Sequence, residues 1–266
     1  MAPLKNWDNK TWLSSQKYIN SFNEFILKQV KIDKDSRILD IGCGRGKILG
    51  NLSNRLKLSK KPIGLDIENH KDKNKKIIFK KIDALSFVSK TKITFDLILI
   101  KQTIHLLKKK QAVKLLSICK NKLNPNGKII ILSLDPKKNE IPTFSLMKKK
   151  LKISLNKDEK LFNLILKNRT KMIVKKFTYE VQILKIKYLQ MIRNRYISTL
   201  LNFTNEQRLN NSTTRTVRTS LEVFNDKPII GAVSTLNSEE VKRRIETEDF
   251  PSFIFTNEYC LESINS

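Results

Sequence analysis

Apolar and polar residues follow one another in the first half of the chain as they do in proteins that alternate strands with helices. Residues 13–30 carry apolar side chains at mixed three- and four-residue spacings, which predicts an amphipathic helix. Further on, short apolar runs predict strands at 37–41, 62–67, 76–79, 96–100 and 128–132, and the segments 47–56 and 110–122 predict helices. Because near-continuous apolar strands are buried on both faces, this pattern predicts a parallel sheet with helices on each side.

The pattern changes after about residue 140. Segments 143–152 and 157–168 predict two helices, residues 172–184 a strand, and residues 186–201 another helix. Two segments compete for the last strand, namely 253–261 and 222–233. We expect one structural domain overall, in which residues 1–140 form the ligand-binding core and residues 141–266 add the remaining strands and a partly helical cap.

A glycine-rich turn follows the first predicted strand. It reads Asp40-Ile41-Gly42-Cys43-Gly44-Arg45-Gly46 and leads into the helix predicted from Lys47. Glycines in such a turn let the backbone approach a ligand closely, and the N-terminus of the helix is electropositive. The glycine spacing is G-x-G-x-G, whereas dinucleotide-binding proteins use G-x-G-x-x-G. The turn therefore predicts a ligand site of a different kind.

The stretch Ile38–Lys47 resembles motif I of the class I methyltransferases that use S-adenosylmethionine (SAM), almost letter for letter. The resemblance covers residues 15–135 well and the rest loosely. It implies an α/β fold with a Rossmann-like, doubly wound, mostly parallel seven-stranded sheet whose last strand is reversed. It also implies SAM as the cofactor and S-adenosylhomocysteine (SAH) as its product.

Further positions agree with this family in order and spacing. Asp66 closes the second strand, where the family binds both ribose hydroxyls, and Asp83 follows the third, where the family contacts the adenine amine. Lys101 stands where a small polar residue is usual. The resemblance thus implies a cofactor site made of Asp40, Gly42, Cys43, Gly44, Gly46, Asp66, Ile67, Asp83, Ala84 and Lys101. For Asp40 the alternative is a turn or cap, and we expect Cys43 to pack beside the methionine moiety and not to act as a nucleophile.

The acceptor side is predicted from two later regions. The segment Phe95–Leu107 looks like motif IV of the small-molecule branch, and it lacks the Asn- or Asp-Pro-Pro-Tyr and Pro-Cys motifs of DNA methyltransferases. Residues 177–181 and 188–198 resemble the acceptor-side region of trans-aconitate methyltransferases and the related type 11 and 12 methyltransferases, with a plain strand and helix as the alternative. The candidates for contact with the acceptor are His105, Tyr179, Arg193 and Tyr196, and His105 alternatively packs against a helix.

We therefore expect a methyl-transferring enzyme acting on a small molecule through a carboxylate, hydroxyl or amine. Because SAM is already activated, in-line displacement depends mainly on alignment of the acceptor, and no residue is compelled to be a general base. Two alternatives remain open at this point. One is an RNA or protein methyltransferase, and the other is a SAM-binding protein without catalysis.

Composition adjusts this interpretation in three respects. The net charge of +28 indicates a nucleic-acid partner, but the cations are mostly Lys spread along the chain, which favours a compositional origin. Three distant cysteines and two histidines predict neither a disulfide framework nor a metal site. No apolar run reaches the roughly 20 residues of a membrane helix, and no signal segment is evident, so we expect a cytoplasmic protein without a membrane partner.

Overall fold

The structure is a computed structural model that describes residues 11–134, 145–167, 172–194, 198–200, 203 and 251–264. The described residues fall into two compact units. The larger is drawn from the ranges 3–138, 155–179 and 257–266, and the smaller from 139–154 and 180–256. Among the described residues, no helix combines the length and hydropathy that a membrane crossing requires.

Helices and strands alternate along the described chain. Helices α1 to α6 span Gln16–Gln29, Lys47–Leu56, Ala84–Lys90, Lys109–Lys120, Ser145–Lys167 and Lys185–Arg193. Strands β1 to β7 span Ile38–Ile41, Ile63–Asp66, Ile78–Lys81, Phe95–Lys101, Leu123–Leu134, Met172–Leu184 and Pro251–Ile264. Single turns of 3-10 helix lie at Trp12–Ser14, Ile104–Leu106 and Ser198–Leu200.

The strands form a sheet in the order β3-β2-β1-β4-β5-β7-β6. Strands β1 to β5 pair in parallel, and β7 runs antiparallel to β5. The predicted α/β, Rossmann-like fold with a parallel sheet and helices is thereby confirmed. The strand order changes direction at β1 and β4, and ligands of open α/β sheets bind beyond the carboxyl ends of the strands at such a switch point.

The core lies between the sheet and the helices that cover one of its faces. Apolar side chains of β1, β2, β4 and β5 point to this face, and they pack with α3, α4 and the second half of α5. Its fully buried members include Leu39, Ile98, Ile100, Ile131, Val88 and Leu115. Burial of apolar surface stabilises the folded state by about 25 cal/mol per Å², and these side chains are closely packed. The strand ends that carry the polar residues are therefore held on a rigid support.

Helix α1 begins at Gln16 and packs through an aromatic stripe. The hydroxyl of Ser15 accepts a hydrogen bond from the backbone N–H of Tyr18 at 3.2 Å, which caps the helix. Tyr18, Phe22 and Ile26 are fully buried at four-residue spacing, so they lie on one face of the helix. The predicted helix over 13–30 is therefore confirmed, with its start set by the cap.

Several boundaries differ from the sequence prediction. Strand β3 begins two residues late, because the Asn74 side chain accepts a hydrogen bond from the Lys76 N–H and keeps that segment in a turn. The strand predicted at 128–132 begins at Leu123, and residues 124–127 form a bulge in it, where Phe95 pairs with Leu123 and Leu97 already pairs with Lys128. Helix α3 was not predicted at all.

The second half also departs from the prediction. The two helices predicted at 143–152 and 157–168 are one helix, α5, since no Gly or Pro interrupts the residues between them. Helix α6 ends at Arg193, where the N–H of Asn194 closes the last turn on the Gln190 carbonyl at 2.9 Å. The strand predicted at 172–184 is confirmed as β6, and the segment 253–261 falls within β7. The competing segment 222–233 lies outside the described residues.

Candidate functional site

The glycine-rich turn after β1 is tied to β2 through its backbone. The N–H groups of Gly42 and Cys43 both donate to the Leu65 carbonyl, at 2.8 and 2.9 Å. Gly42, Gly44 and Gly46 all have positive φ, at 78°, 55° and 68°. Residues with a side chain adopt this left-handed region at a cost of about 1–2 kcal/mol. The turn therefore requires glycines at the spacing found in the sequence.

The three glycines differ in what surrounds them. A Cβ at Gly42 would overlap the side chain of Thr103, and a Cβ at Gly46 would overlap Ile77. At Gly44, by contrast, no atom of the described residues other than its chain neighbours lies within 4 Å of the position a Cβ would take. Packing therefore explains the first and third glycines, whereas the middle one borders open space, as expected where a ligand approaches the backbone.

Asp66 ends β2 and is held by three hydrogen bonds. Its Oδ2 accepts from the Gly44 N–H at 2.9 Å and lies 3.3 Å from Nε2 of His70, and its Oδ1 accepts from the Glu68 N–H at 2.9 Å. Burial alone would raise the pKa of Asp66, but the hydrogen bonds from His70, Glu68 and Gly44 together lower the pKa below its usual value. Asp66 is therefore an ionised carboxylate beside the glycine turn.

Asp40 is a buried carboxylate on β1, next to the same turn. It is only 3% exposed, and its Oδ1 has no hydrogen-bond partner among the described residues. Burial raises the pKa of Asp40 to about 7; Lys101 lowers this pKa and Asp66 raises it. An unpartnered acceptor in such a place costs about 1–3 kcal/mol, so the site fits a ligand that brings a hydrogen-bond donor or a positive charge.

Lys101 ends β4 against the aromatic stripe of α1. Its Nζ lies 5.1 Å from the ring centroid of Tyr18 and 5.7 Å from that of Phe22, within the range of cation–π attraction. Tyr179 of β6 packs edge-on against Tyr18, with ring centroids 5.1 Å apart and planes at 87°. Two of the predicted site residues, Lys101 and Tyr179, thus contact the same aromatic ring.

The predicted adenine-side residues lie at the ends of β2 and β3. Ile67, directly after Asp66, is 65% exposed. Asp83 is exposed and caps α3, with one carboxylate oxygen accepting from the Ser86 N–H at 2.9 Å. Ala84 is half-buried as the first residue of that helix. The Ile82 N–H donates to the Asp66 carbonyl at 3.0 Å, which fixes the two strand ends relative to each other.

Cys43 lies in the glycine turn and packs against Gly64. Its Sγ lies 2.7 Å from where a Cβ at Gly64 would stand, so Gly64 makes room for this side chain. Burial, followed by the nearby carboxylates of Asp40 and Asp66, raises the pKa of the thiol far above its usual value. Cys43 therefore stays protonated and is a packing residue of the turn.

Three of the four acceptor-side candidates lie among the described residues. His105 lies in the turn Ile104–Leu106; its Nδ1 is enclosed without a hydrogen-bond partner among the described residues, and desolvation lowers its pKa to about 4. Arg193 is exposed as the last residue of α6 and belongs to the smaller unit. Tyr196 lies outside the described residues. His105 is accordingly a neutral imidazole near pH 7.

A family model described as "Methyltransferase domain" matches residues 32–193, which is more than half of the chain and includes the glycine turn, Asp40, Asp66 and Lys101. The chain belongs to this family. No curated protein matches it.

Solved structures show the same fold at low identity. The plantazolicin methyltransferase BpumL in complex with SAH is 18% identical, with 98% of this chain and 88% of that chain covered and a TM-score of 0.50. A candidate methyltransferase from Bacillus halodurans C-125 is 12% identical, with 92% and 98% covered and a TM-score of 0.51. The family match shows that the chain has a methyltransferase domain, and these neighbours show that it shares their fold.

The structure of this methyltransferase also reveals site residues that the sequence analysis did not identify. His70 contacts Asp66, Thr103 packs on the glycine turn, and Tyr18 and Phe22 surround Lys101. The spacing of four residues between Asp66 and His70 was the available signal for the first. The others are distant in sequence, so only the fold brings them to the site.

Proposed function

We propose that this methyltransferase transfers the methyl group of SAM to a small-molecule acceptor at the carboxyl ends of β1, β2 and β4. The observation that supports the cofactor position best is the buried carboxylate of Asp40, whose Oδ1 has no partner among the described residues. SAM carries an ammonium group and a sulfonium centre, and either could serve as a positively charged partner for this carboxylate. The residues present therefore fit the cofactor.

The remaining cofactor contacts follow from the two strand ends. Asp66 is ionised and accepts hydrogen bonds, so it suits the ribose hydroxyls. The exposed side chain of Ile67 offers an apolar surface to one face of the adenine ring, and the second carboxylate oxygen of Asp83 is available to the adenine amine. Ala84 adjoins Asp83 at the start of α3. The open space at Gly44 permits close approach of the cofactor to the backbone.

Bound SAM supplies an electrophilic methyl group, so the protein contributes mainly alignment and exclusion of water. His105 is uncharged at neutral pH because its pKa is lowered to about 4, so it can accept a hydrogen bond from an acceptor but is a weak base. Tyr179 and Lys101 meet at Tyr18, which gives this side of the site one hydroxyl and one cation. The roles of Arg193 and Tyr196, and the cap over residues 141–266, stay predictions.

A small acceptor is favoured by the form of the segment after β4, which lacks the motifs of DNA methyltransferases. Carboxylate, hydroxyl and amine acceptors all remain within the proposal. The net charge of +28 supports the second candidate, an RNA or protein substrate, since cationic surfaces bind phosphates. That interaction weakens steeply with salt, which separates the two candidates experimentally.

Calorimetric titration with SAM and with SAH tests the cofactor site. We expect saturable binding that Asp66→Ala weakens by about tenfold or more, because hydrogen bonds to charged groups contribute roughly 1.5–3 kcal/mol. Asp35→Ala is the matched control, since Asp35 is an exposed carboxylate that bonds Lys34 and Ser59. Equal affinity in both variants would contradict the assignment of Asp66.

Labelled methyl transfer then tests the acceptor class. Radiolabelled SAM is incubated with fractionated metabolites, with total RNA and with protein at low and high salt. We expect label in small-molecule fractions, with little dependence on salt. Incorporation into RNA or protein that disappears at high salt would replace the small-molecule proposal with the second candidate.

A further inference from the structure

His70 is a buried histidine that directly contacts a predicted cofactor residue. It is 4% exposed, and its Nε2 lies 3.3 Å from Oδ2 of Asp66. Burial of an imidazole costs free energy because its polar atoms lose their hydration, and a hydrogen bond in the folded protein offsets this cost. The contact with the Asp66 carboxylate offsets the cost at Nε2, while Nδ1 has no partner among the described residues.

The loop that carries His70 is fixed to the glycine turn. The Asn74 N–H donates to the Arg45 carbonyl at 2.9 Å, and the Asn74 side chain closes on Gly50 of α2, leaving no room for a Cβ there. His70 thus lies between two anchored points, Asp66 at the end of β2 and Asn74 four residues further on. Its imidazole is therefore positioned by the fold.

The contact with His70 occupies one of the hydrogen-bond acceptor positions of the Asp66 carboxylate. A carboxylate offers about four lone-pair positions, two on each oxygen. On Oδ2 the Gly44 N–H and Nε2 of His70 occupy both, whereas on Oδ1 the Glu68 N–H occupies one. The remaining acceptor position is therefore on Oδ1, and the orientation of the carboxylate is fixed by two donors on Oδ2 and one on Oδ1.

We propose that His70 is a positioning residue of the cofactor site, whose Nε2–H donates to Oδ2 of Asp66 and leaves Oδ1 to accept from a ribose hydroxyl. This inference rests on the proposed role of Asp66 in binding SAM. Without the imidazole, each carboxylate oxygen would keep only one backbone donor, the Gly44 N–H on Oδ2 and the Glu68 N–H on Oδ1, and the carboxylate would be held less tightly. The ribose would then meet an acceptor that must first be ordered, which weakens binding.

Titration with SAH tests this role. We expect His70→Leu, which removes the donor at similar volume, to weaken SAH binding about tenfold, as loss of a hydrogen bond to a charged group does. His70→Gln places an amide donor near the position of Nε2 and should recover most of the affinity. Asn69→Leu is the matched control, because Asn69 is an exposed residue of the same loop whose side chain bonds Lys73.

A double-mutant cycle separates positioning from simple packing. In an Asp66→Ala background, His70→Leu should cause no further loss, since no carboxylate remains to be oriented. The same tenfold loss in that background would overturn the inference, and so would wild-type affinity in His70→Leu. Failure of the wild-type protein to bind SAH would instead refute the proposed function, so the two failures are distinguishable.

A measurement on the wild-type chain covers the case in which the His70 variants do not fold. The ¹⁵N spectrum of labelled imidazoles reports which ring nitrogen carries the proton. We expect a proton on Nε2 of His70, with the signal assigned against His105→Asn. A neutral imidazole with its proton on Nδ1 would overturn the inference, because Nε2 could then not donate to Asp66.

Discussion

Replacing Asp40 by Asn tests the central electrostatic feature of the site. The carboxylate is 3% exposed, burial raises its pKa to about 7, and its Oδ1 is unpartnered among the described residues. Asn retains nearly the same shape but cannot ionise. We therefore expect the free energy of unfolding of the wild-type protein to fall relative to that of Asp40→Asn as the pH rises from 4 to 7.

The magnitude follows from proton linkage. An unfolded Asp titrates near its ordinary pKa of 3.8, whereas folded Asp40 titrates near 7. Between these values the folded protein keeps a proton that the unfolded chain has released, so stability is lost as the pH rises. One pH unit corresponds to about 1.4 kcal/mol, and the interval therefore amounts to about 4 kcal/mol, fully lost above pH 7.

Urea unfolding between pH 4.5 and 8.5 measures this difference. Only the pH dependence of the wild-type minus variant difference is used, because a constant offset from the new amide cancels. Asp35→Asn is the control. Hydrogen bonds from Lys34 and Ser59 lower the pKa of Asp35, so the contribution of Asp35 to the free energy of unfolding is lost as the pH falls. Parallel profiles for wild type and Asp40→Asn would refute the reasoning.

Two additions make the experiment specific to the site. Lys101 lowers the pKa of Asp40, so in Lys101→Met the loss of stability should extend to higher pH than in the wild type. Saturating SAM at pH 8 should raise the wild-type free energy of unfolding more than that of Asp40→Asn, since only the carboxylate attracts the cationic cofactor. An equal increase in both would show that Asp40 does not contact SAM.

Other predictions concern the glycine turn and the thiols. Gly44→Ala should keep the fold, at a cost of about 1 kcal/mol for its positive φ, yet weaken SAH binding in calorimetry because the new Cβ enters the open space. Gly42→Ala should instead lower the thermal midpoint, since its Cβ overlaps Thr103. A lower thermal midpoint for Gly44→Ala than for Gly42→Ala would contradict the placement of the cofactor at Gly44. Cys43 and Cys119 should resist alkylation at pH 8 until urea unfolds the protein, because burial raises the pKa of both thiols, and mass spectrometry locates the label.

Much of the larger unit could be predicted because its signals are local. The apolar runs of β1, β2 and β4 need only short stretches of sequence to be recognised, and α2 was predicted at its observed bounds, Lys47–Leu56. The glycine turn was equally accessible, since positive φ at Gly42, Gly44 and Gly46 is a property of the backbone at those positions. Asp40 and Asp66 then follow from their spacing to the turn.

The features that escaped prediction depend on contacts between distant segments. Helix α3 has only seven residues, too few for an apolar period, and it is set by the cap that Asp83 provides. The bulge at Leu123–Lys128 exists because β5 must match the register of β4, where the Asp96 carboxylate accepts from the Asn124 side chain at 2.8 Å. Thr103 reaches Gly42 only once the fold has brought the two segments together.

The residues that carry the site are the ones that cost the fold stability. Asp40 is a buried carboxylate whose Oδ1 has no partner among the described residues, and an apolar residue at that position would favour folding, while the backbone at Gly44 borders open space. The fold tolerates them because the surrounding strands are rigid and buried. A ligand that brings positive charge to Asp40 and fills the space at Gly44 relieves both costs at once, so cofactor binding and stability should rise together.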